Sequence, residues 1–247
     1  MGITAENLVK CYGRRTVVSN LSFELDAGCV LGFIGPNGAG KTTAMRMLCG
    51  IHKPTSGRVL VNSIDPALDP VSAKRKLGYL PENAPLYGNM TVRSFLSWCG
   101  SMRGLSGSAL RIALDKVMEE CSLRSAAGEE IESLSKGYRR RVCLAQSIIH
   151  SPNVLVMDEP TDGLDPNQKR EIRSLIRSMR DHCAIIVSTH ILEEIDAVCD
   201  SVLAICGGCQ VFSGSVPEFR AVAGGTLEDS FRVLTADRVS AGEGRPL

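Results

Sequence analysis

The period of the apolar positions along this chain changes twice, and the changes mark out its architecture. The first 35 or so residues read as strands. Val17, Ser19, Leu21 and Phe23 alternate within Thr16–Leu25, and Cys29–Ile34 is a short apolar run that ends on glycine. The spacing then predicts a helix over about 40–49, closed by the breakers Gly50, Pro54 and Gly57, and two short strands at Arg58–Val61 and Leu77–Leu80. From Thr91 to about Glu120 apolar residues recur every three or four positions, through Val92, Phe95 and Leu96 and then Leu110, Ala113, Leu114 and Val117. A further helix is expected over Ser135–His150. Beyond it strands and helices alternate: strand Asn153–Met157, helix Asn167–Arg180, strand Ala184–Ser188, helix Ile191–Val198 and strand Val202–Ile205.

Short strands that are apolar on both faces and separated by helices imply a parallel sheet with right-handed crossovers. The expected fold is α/β: a mixed, mainly parallel sheet with an N-terminal antiparallel β part, interrupted by a helical insertion at roughly 84–150. Residues 1–235 are expected to form one domain. Residues 236–247 contain Gly, Arg and Pro without an apolar period and read as a frayed tail.

Composition narrows the chemistry. In 247 residues, 28 Lys+Arg face 27 Asp+Glu, a net charge of +1, and there are only 11 aromatics. Neither a basic surface nor a base-stacking platform is present in bulk, so no direct contact with nucleic acid is expected. With 44% hydrophobic and 22% charged residues the chain can bury a core, which excludes disorder. Met1–Lys10 carries Glu6 and Lys10 and is no signal peptide, and no run approaches the ~20 apolar residues of a membrane span. The expected setting is soluble or peripheral. The ten cysteines are scattered through apolar runs as small hydrophobes, which suits a reduced, cytoplasmic compartment. Cys206-Gly-Gly-Cys209 has thiols at metal or redox spacing, but no second Cys/His pair lies nearby, and Gly-Gly between two strand-like runs reads as a hairpin turn.

Two segments carry chemistry. Gly35-Pro36-Asn37-Gly38-Ala39-Gly40-Lys41-Thr42, followed by Thr43, fits G-x-x-x-x-G-K-[ST] and lies between a strand and a helix, as the pattern requires. Its glycines let backbone N–H groups converge on phosphate oxygens, and the helix start adds partial positive charge. Lys41 offers a point charge to the outer phosphates, and Thr42 a hydroxyl to Mg²⁺. The loop is expected to bind a nucleoside triphosphate. The second segment is the apolar run Val154–Met157, which delivers Asp158 and Glu159 at its C-terminal end, the edge where α/β sheets bind ligands. Asp158 is placed to act on Mg²⁺, directly or through water, and Glu159 to orient or deprotonate an attacking water.

Between them lies Leu134-Ser135-Lys136-Gly137-Tyr138, directly before a helix. With it, the chain from about Ile3 to Thr235 resembles the ATP-binding subunit of an ABC transporter, whose signature segment is usually Leu-Ser-Gly-Gly-Gln. The resemblance implies a nucleoside-triphosphatase core of the phosphate-loop type, with ATP and Mg²⁺ as cofactors. It also implies a head-to-tail dimer in which residues 134–138 contact the γ-phosphate held by the other subunit. Lys136 and Tyr138 depart from the commonest form. On the same resemblance, Tyr12 would stack on adenine, Asp165 of Gly163-Leu-Asp165-Pro166 would act across the dimer interface, and His190 would reach the γ-phosphate. Each also has a plain structural reading: a strand-end aromatic for Tyr12, a helix cap for Asp165 and a strand-end histidine for His190. Glu82 stands where the family usually has Gln and would still ligate Mg²⁺ or water.

Leu80-Pro-Glu82-Asn83-Ala-Pro85-Leu-Tyr87 and the ending Thr226–Thr235 are similar to the bacterial exporter branch with gliding-motility-type and multidrug-type ATPases. That implies a transmembrane permease partner docking near Glu82–Met90, and a homodimer or a heterodimer with a similar ATPase, peripheral on the inner face of the cell membrane. Two other readings stay open: a soluble ABC ATPase acting on nucleic acid or ribosomes, and a non-catalytic nucleotide-binding regulator.

Overall fold

The computed structural model describes residues 2–83 and 85–242, the last six of these as backbone only. The N-terminal alternation folds as two long antiparallel strands, β1 (Gly2–Tyr12) and β2 (Arg15–Asp26). The apolar run after them is β3 (Val30–Ile34), buried along its whole length, and it feeds helix α1 (Lys41–Leu48). Then come β4 (Ser56–Val61), α2 (Pro70–Lys76) and β5 (Leu77–Leu80). Between β5 and the next strand the chain leaves the sheet for α3 (Val92–Met102), α4 (Gly107–Glu120), two short 3-10 turns and α5 (Lys136–Ile148). It returns as β6 (Val154–Asp158), α6 (Pro166–Met179), β7 (Ala184–Ser188), α7 (Leu192–Val198) and β8 (Ser201–Cys206). The chain finishes with β9 (Cys209–Ser215), α8 (Val216–Ala221) and α9 (Leu227–Gly242).

Among the described residues, all nine strands join one sheet in the order β4-β1-β2-β9-β8-β3-β7-β6-β5. Its centre is parallel, with β3 paired to both β7 and β8, and β6 to β5 and β7; β1, β2 and β4 pair antiparallel at one end. β6 and β7, like β3, have every residue buried, as a parallel strand covered on both faces must. One face packs on α1 through Phe33, Val156 and Ile186 against Met45 and Leu48. The other packs on the inserted helices: Leu155, Met157, Ile185 and Val187 share a core with Phe95, Leu96, Val117, Met118, Val142 and Leu144.

Three differences from the sequence reading have local causes. The helical period over 91–120 is two helices, because Gly104 (φ +92°) ends α3 in a left-handed turn in which Leu105 N–H reaches Gly100 O at 3.0 Å. α2 and α8 carry little apolar signal; each starts on a side-chain cap, Asp69 accepting from Ser72 N–H and Ser215 from Glu218 N–H. The tail expected from Ala236 is helical as far as Gly242, since no glycine or proline stands between Gly225 and Gly242; residues 243–247 lie outside the described residues. All ten cysteines are free thiols, and Cys206 pairs with Cys209 across the Gly207-Gly208 hairpin. No helix among the described residues is long and apolar enough to cross a membrane.

His150, just after α5, gives the fold a pH dependence. Its Nε2 lies 3.2 Å from Leu77 O, while Nδ1 is buried with no partner among the described residues. Burial pulls its pKa from 6.5 down to about 4. The unfolded chain therefore binds this proton more readily. Its contribution is intact above pH 6.5 and falls by up to about 3 kcal/mol as the pH drops toward 4. The Tm advantage of the native protein over His150→Gln should narrow steadily between pH 7 and pH 4; a constant gap would contradict this account.

Candidate active site

Four parallel strands end side by side, and each hands its next residues to the same cleft. Across β3, β7, β6 and β5 the register runs Phe33 to Ser188, Ser188 to Asp158, and Met157 to Leu80. Loops at the carboxyl ends of such strands are where α/β sheets take ligands. Here they deliver the 35–42 loop, Thr189-His190, Asp158-Glu159 and Glu82 to a cleft of about 490 Å³. Asn37, Gly38, Gly40, Lys41, Thr42, Thr43, Glu82, Asp158, Glu159 and His190, all singled out from sequence, line it.

The loop itself is backbone-built. Ala39 N–H donates to Pro36 O at 3.1 Å, and Gly38 and Gly40 take left-handed φ of 78° and 103°. At Gly40 a Cβ would lie 2.6 Å from Val17 O, so only glycine passes beneath β2. No side chain caps the start of α1, and its first residues line the cleft, so its amides and dipole serve an anion there. The Lys41 ammonium is buried and donates to Gly35 O at 2.7 Å and Pro36 O at 3.3 Å. Burial pulls its pKa below the ordinary lysine value, and Glu159, Asp158 and Glu82 act against that pull.

The acidic end supplies the opposite charge. Asp158 is 1% exposed; its Oδ1 accepts from Ser188 Oγ, whereas Oδ2 is buried with no partner among the described residues. A buried carboxylate oxygen without a donor is costly, and a cation relieves it. With the Thr42 hydroxyl and Glu82 on the same cleft, the donor set fits Mg²⁺, a hard cation that takes few protein oxygens and fills its shell with water and phosphate. No group of three or more His, Cys, Asp or Glu suited to hold a metal occurs among the described residues.

Glu159 sits one residue on, in a strained backbone. Its φ of +49° is left-handed for a residue with a side chain, a conformation that costs about 1–3 kcal/mol and gathers at functional sites. Its N–H donates to Ser188 O at 3.0 Å, and Oε2 lies 2.9 Å from Nδ1 of His190. The pair joins a mostly buried carboxylate, 13% exposed, to a histidine 52% exposed at the mouth of the cleft. Such a carboxylate, anchored on one side, is placed to accept a proton from water.

The other sequence-derived residues stand around this cleft. Gly35, Pro36 and Ala39 support the loop from below, Ala39 O accepting from Gly208 N–H at 3.1 Å. Tyr12 ends β1 outside the lining, with its ring edge-on to His52 and the Lys10 ammonium 5.1 Å from its centre; Arg15 and Val17 line the cleft on that side. Ser135 is the N-cap of α5, accepting from Tyr138 N–H at 3.3 Å, and none of residues 134–138 lines the phosphate-loop cleft. Leu134 is buried, Gly137 packs on Gln168, and the Tyr138 ring faces the Arg141 guanidinium at 5.2 Å. Lys136 lies over Gly163 and borders an adjoining cleft of about 440 Å³ that shares Glu82, Glu159 and Asp162 with the first. Asp165 caps α6 in a reciprocal capping box with Gln168, as its place before Pro166 suggests.

Sequence reasoning missed several contributors. Arg15, Val17 and Asp162 line the cleft. Glu194 is 2% exposed and accepts from Thr161 Oγ1 and, at 3.0 Å, from Thr189 Oγ1, tying the turn after Glu159 to the turn that carries His190. Burial raises its pKa. An acidic residue inside a helical period reads as solvent-facing, and only the fold turns this one inward.

Comparison with known proteins agrees with this geometry. The family model described as ABC transporter matches residues 18–162. An uncharacterised ABC transporter ATP-binding protein of Bacillus subtilis is 34% identical over 218 residues, 88% of this chain and 72% of that one. A probable multidrug ABC transporter ATP-binding protein of Escherichia coli is 34% identical over 242 residues, 95% of this chain but 42% of its own length. Among solved structures, an ATP-binding subunit of an ABC transporter superposes with a TM-score of 0.88 at 26% identity, covering 95% of this chain and 99% of that one. A dimeric ATP-binding cassette bound to ADP and Pi shares the fold, with a TM-score of 0.79 at 20% identity, over 87% of this chain and 98% of that one. A phosphate loop, a carboxylate pair and a histidine on one sheet edge, in a chain matched by that model over more than half its length, make this protein a member of the ABC transporter family, an ATP-binding subunit with ATPase activity.

Proposed function

We propose that two copies of this chain, or one copy and a similar ATPase, close over two ATP molecules and power a bacterial exporter through a membrane permease. The observation that carries the reading is a division within one subunit. The 490 Å³ cleft gathers the phosphate loop, the unpartnered Asp158 oxygen and the Glu159–His190 pair, while Ser135 stands outside it at the start of α5. A second copy related by a twofold axis would set each Ser135 segment over the other's nucleotide and make two equivalent sites.

In this reading Lys41 and the amides of 38–43 hold the β- and γ-phosphates, with Tyr12 beside the base. Thr42, Asp158 and Glu82 would hold Mg²⁺, which neutralises charge on the phosphate oxygens. Glu159 takes a proton from water as the water oxygen bonds to the γ-phosphorus; the bond to the bridging oxygen breaks, and its electron pair leaves with ADP. His190 fixes the Glu159 carboxylate from the cleft mouth. Asp165 and residues 134–138 act across the interface, and ADP and phosphate, both anionic, loosen it after hydrolysis.

The permease surface is assigned to Glu82–Met90. It adjoins the catalytic loop, and its half-exposed Tyr87 stands against the half-exposed Trp98 of α3 at 5.3 Å between ring centres, both resting on Phe95. In support of the export direction, one relative, in Ralstonia nicotianae, is named a Nod factor export ATP-binding protein, and the permease would hold the subunit at the inner face of the membrane. Phosphate release by the purified chain tests the dimer. The rate per subunit should rise with protein concentration and level off; a rate per subunit that stays flat over a hundredfold dilution, with only monomer in solution, would rule the closed pair out.

A further inference from the structure

Of the α5 side chains near the catalytic loops, one is hydrogen-bonded to both. Arg140, on the same helix that Ser135 caps, donates Nη1 to Pro81 O at 3.0 Å and Glu82 O at 2.8 Å. Its Nη2 donates to Asp158 O at 2.9 Å and Glu159 O at 2.6 Å, and Nε to Pro160 O at 3.1 Å. One guanidinium thus engages five carbonyls from two loops that lie on neighbouring strand ends, β5 and β6. Planar, with donors in a fixed fork, it can span both loops at once; an ammonium cannot. Burial pulls its pKa down, and Asp158, Asp162 and Glu82 favour the charged form.

The consequence falls on Glu159. Its peptide groups are held from opposite sides, N–H by Ser188 O and C=O by Arg140, and between those two bonds the residue is held in its left-handed conformation. That conformation brings the carboxylate to His190. We propose that Arg140 is a positioning residue for hydrolysis: it locks the Glu159 turn and the Glu82 loop to the helix that bears Ser135, so that seating of α5 sets the catalytic carboxylate. The inference rests on the reading of Glu159 as the proton acceptor.

The test compares Arg140→Gln and Arg140→Lys, each alone and combined with Glu159→Gln, by phosphate release, fluorescent-nucleotide affinity and Tm. Arg140→Gln should lower kcat by about 30- to 100-fold, the size of effect that ångström-scale misplacement produces, with KM and nucleotide affinity within about threefold. Arg140→Lys should recover only part of the rate. On the Glu159→Gln background, Arg140→Gln should reduce the residual rate by less than about twofold, because the group it positions is already gone. A kcat within threefold of native, or an equal loss on both backgrounds, would show a strut of the fold and overturn the proposal. Should Arg140→Gln fail to fold, Arg140→Lys carries the same split. A native rate in Glu159→Gln alone would instead overturn the proton-acceptor assignment, and would leave the loss of kcat at constant affinity as a separate reading of Arg140.

Discussion

Glu159→Gln should bind ATP at least as tightly as the native protein and lose about 10²–10⁴-fold in turnover, the usual contribution of a positioned base. Glutamine keeps the shape of the side chain, and its amide can still meet His190, so the left-handed turn at 159 and the cleft around it are preserved. What disappears is the proton acceptor. The cleft also loses a negative charge near the phosphate site, where Asp158 and Glu82 already stand, so affinity should hold or rise. With ATP present the variant should accumulate as a dimer, seen by light scattering, because the step that loosens the pair is blocked. Phosphate release at the native rate would remove Glu159 from the chemistry.

Lys41→Met should do the reverse, losing binding before turnover. The Lys41 ammonium is buried at the base of the phosphate loop, and methionine follows the same aliphatic path without the charge. Deleting one partner of a buried, hydrogen-bonded charge pair costs about 2–5 kcal/mol, so ATP affinity should drop by roughly 30- to 4000-fold. Stability should respond differently. The native ammonium is penalised by burial, which offsets much of the roughly 1.5–3 kcal/mol that each charged bond to Gly35 O and Pro36 O contributes and leaves a net of about 2 kcal/mol. Tm should therefore move by no more than about 4–8 °C in a chain of this size. Titration of a fluorescent ATP analogue beside a melting curve separates the two, and near-native affinity in a folded variant would sink the assignment.

The parts of the site legible in the sequence are those in which chemistry and local structure share a short stretch of chain. The 35–42 loop shows its strand, its glycines and its lysine within a dozen residues, and Asp158-Glu159 follows an apolar run whose length already says buried strand. The sheet was readable for the same reason, since β3, β6 and β7 are uniformly apolar. Arg140 and Glu194 were not, because their meaning depends on partners distant in sequence: Arg140 looks like one of three consecutive surface arginines, and Glu194 like a solvent-facing helix residue. The break between α3 and α4 was hidden because apolar spacing resumes in phase after the Arg103–Ser106 turn, and α2 because only Ala73 on it is buried.

The inserted helices share one continuous hydrophobic core with the sheet, since Phe95, Leu96, Val142 and Leu144 close over Leu155, Met157, Ile185 and Val187. They are therefore poor currency for recombination. A chimaera that borrows residues 84–150 from a relative inherits half of a mould whose other half stays behind, and the mismatch in side-chain volume falls beneath β6, the strand that ends in Asp158. Lineages that trade this segment to change partners would have to alter the underside of the sheet in step, so drift at Leu155 and Ile185 should follow drift in α3 and α5.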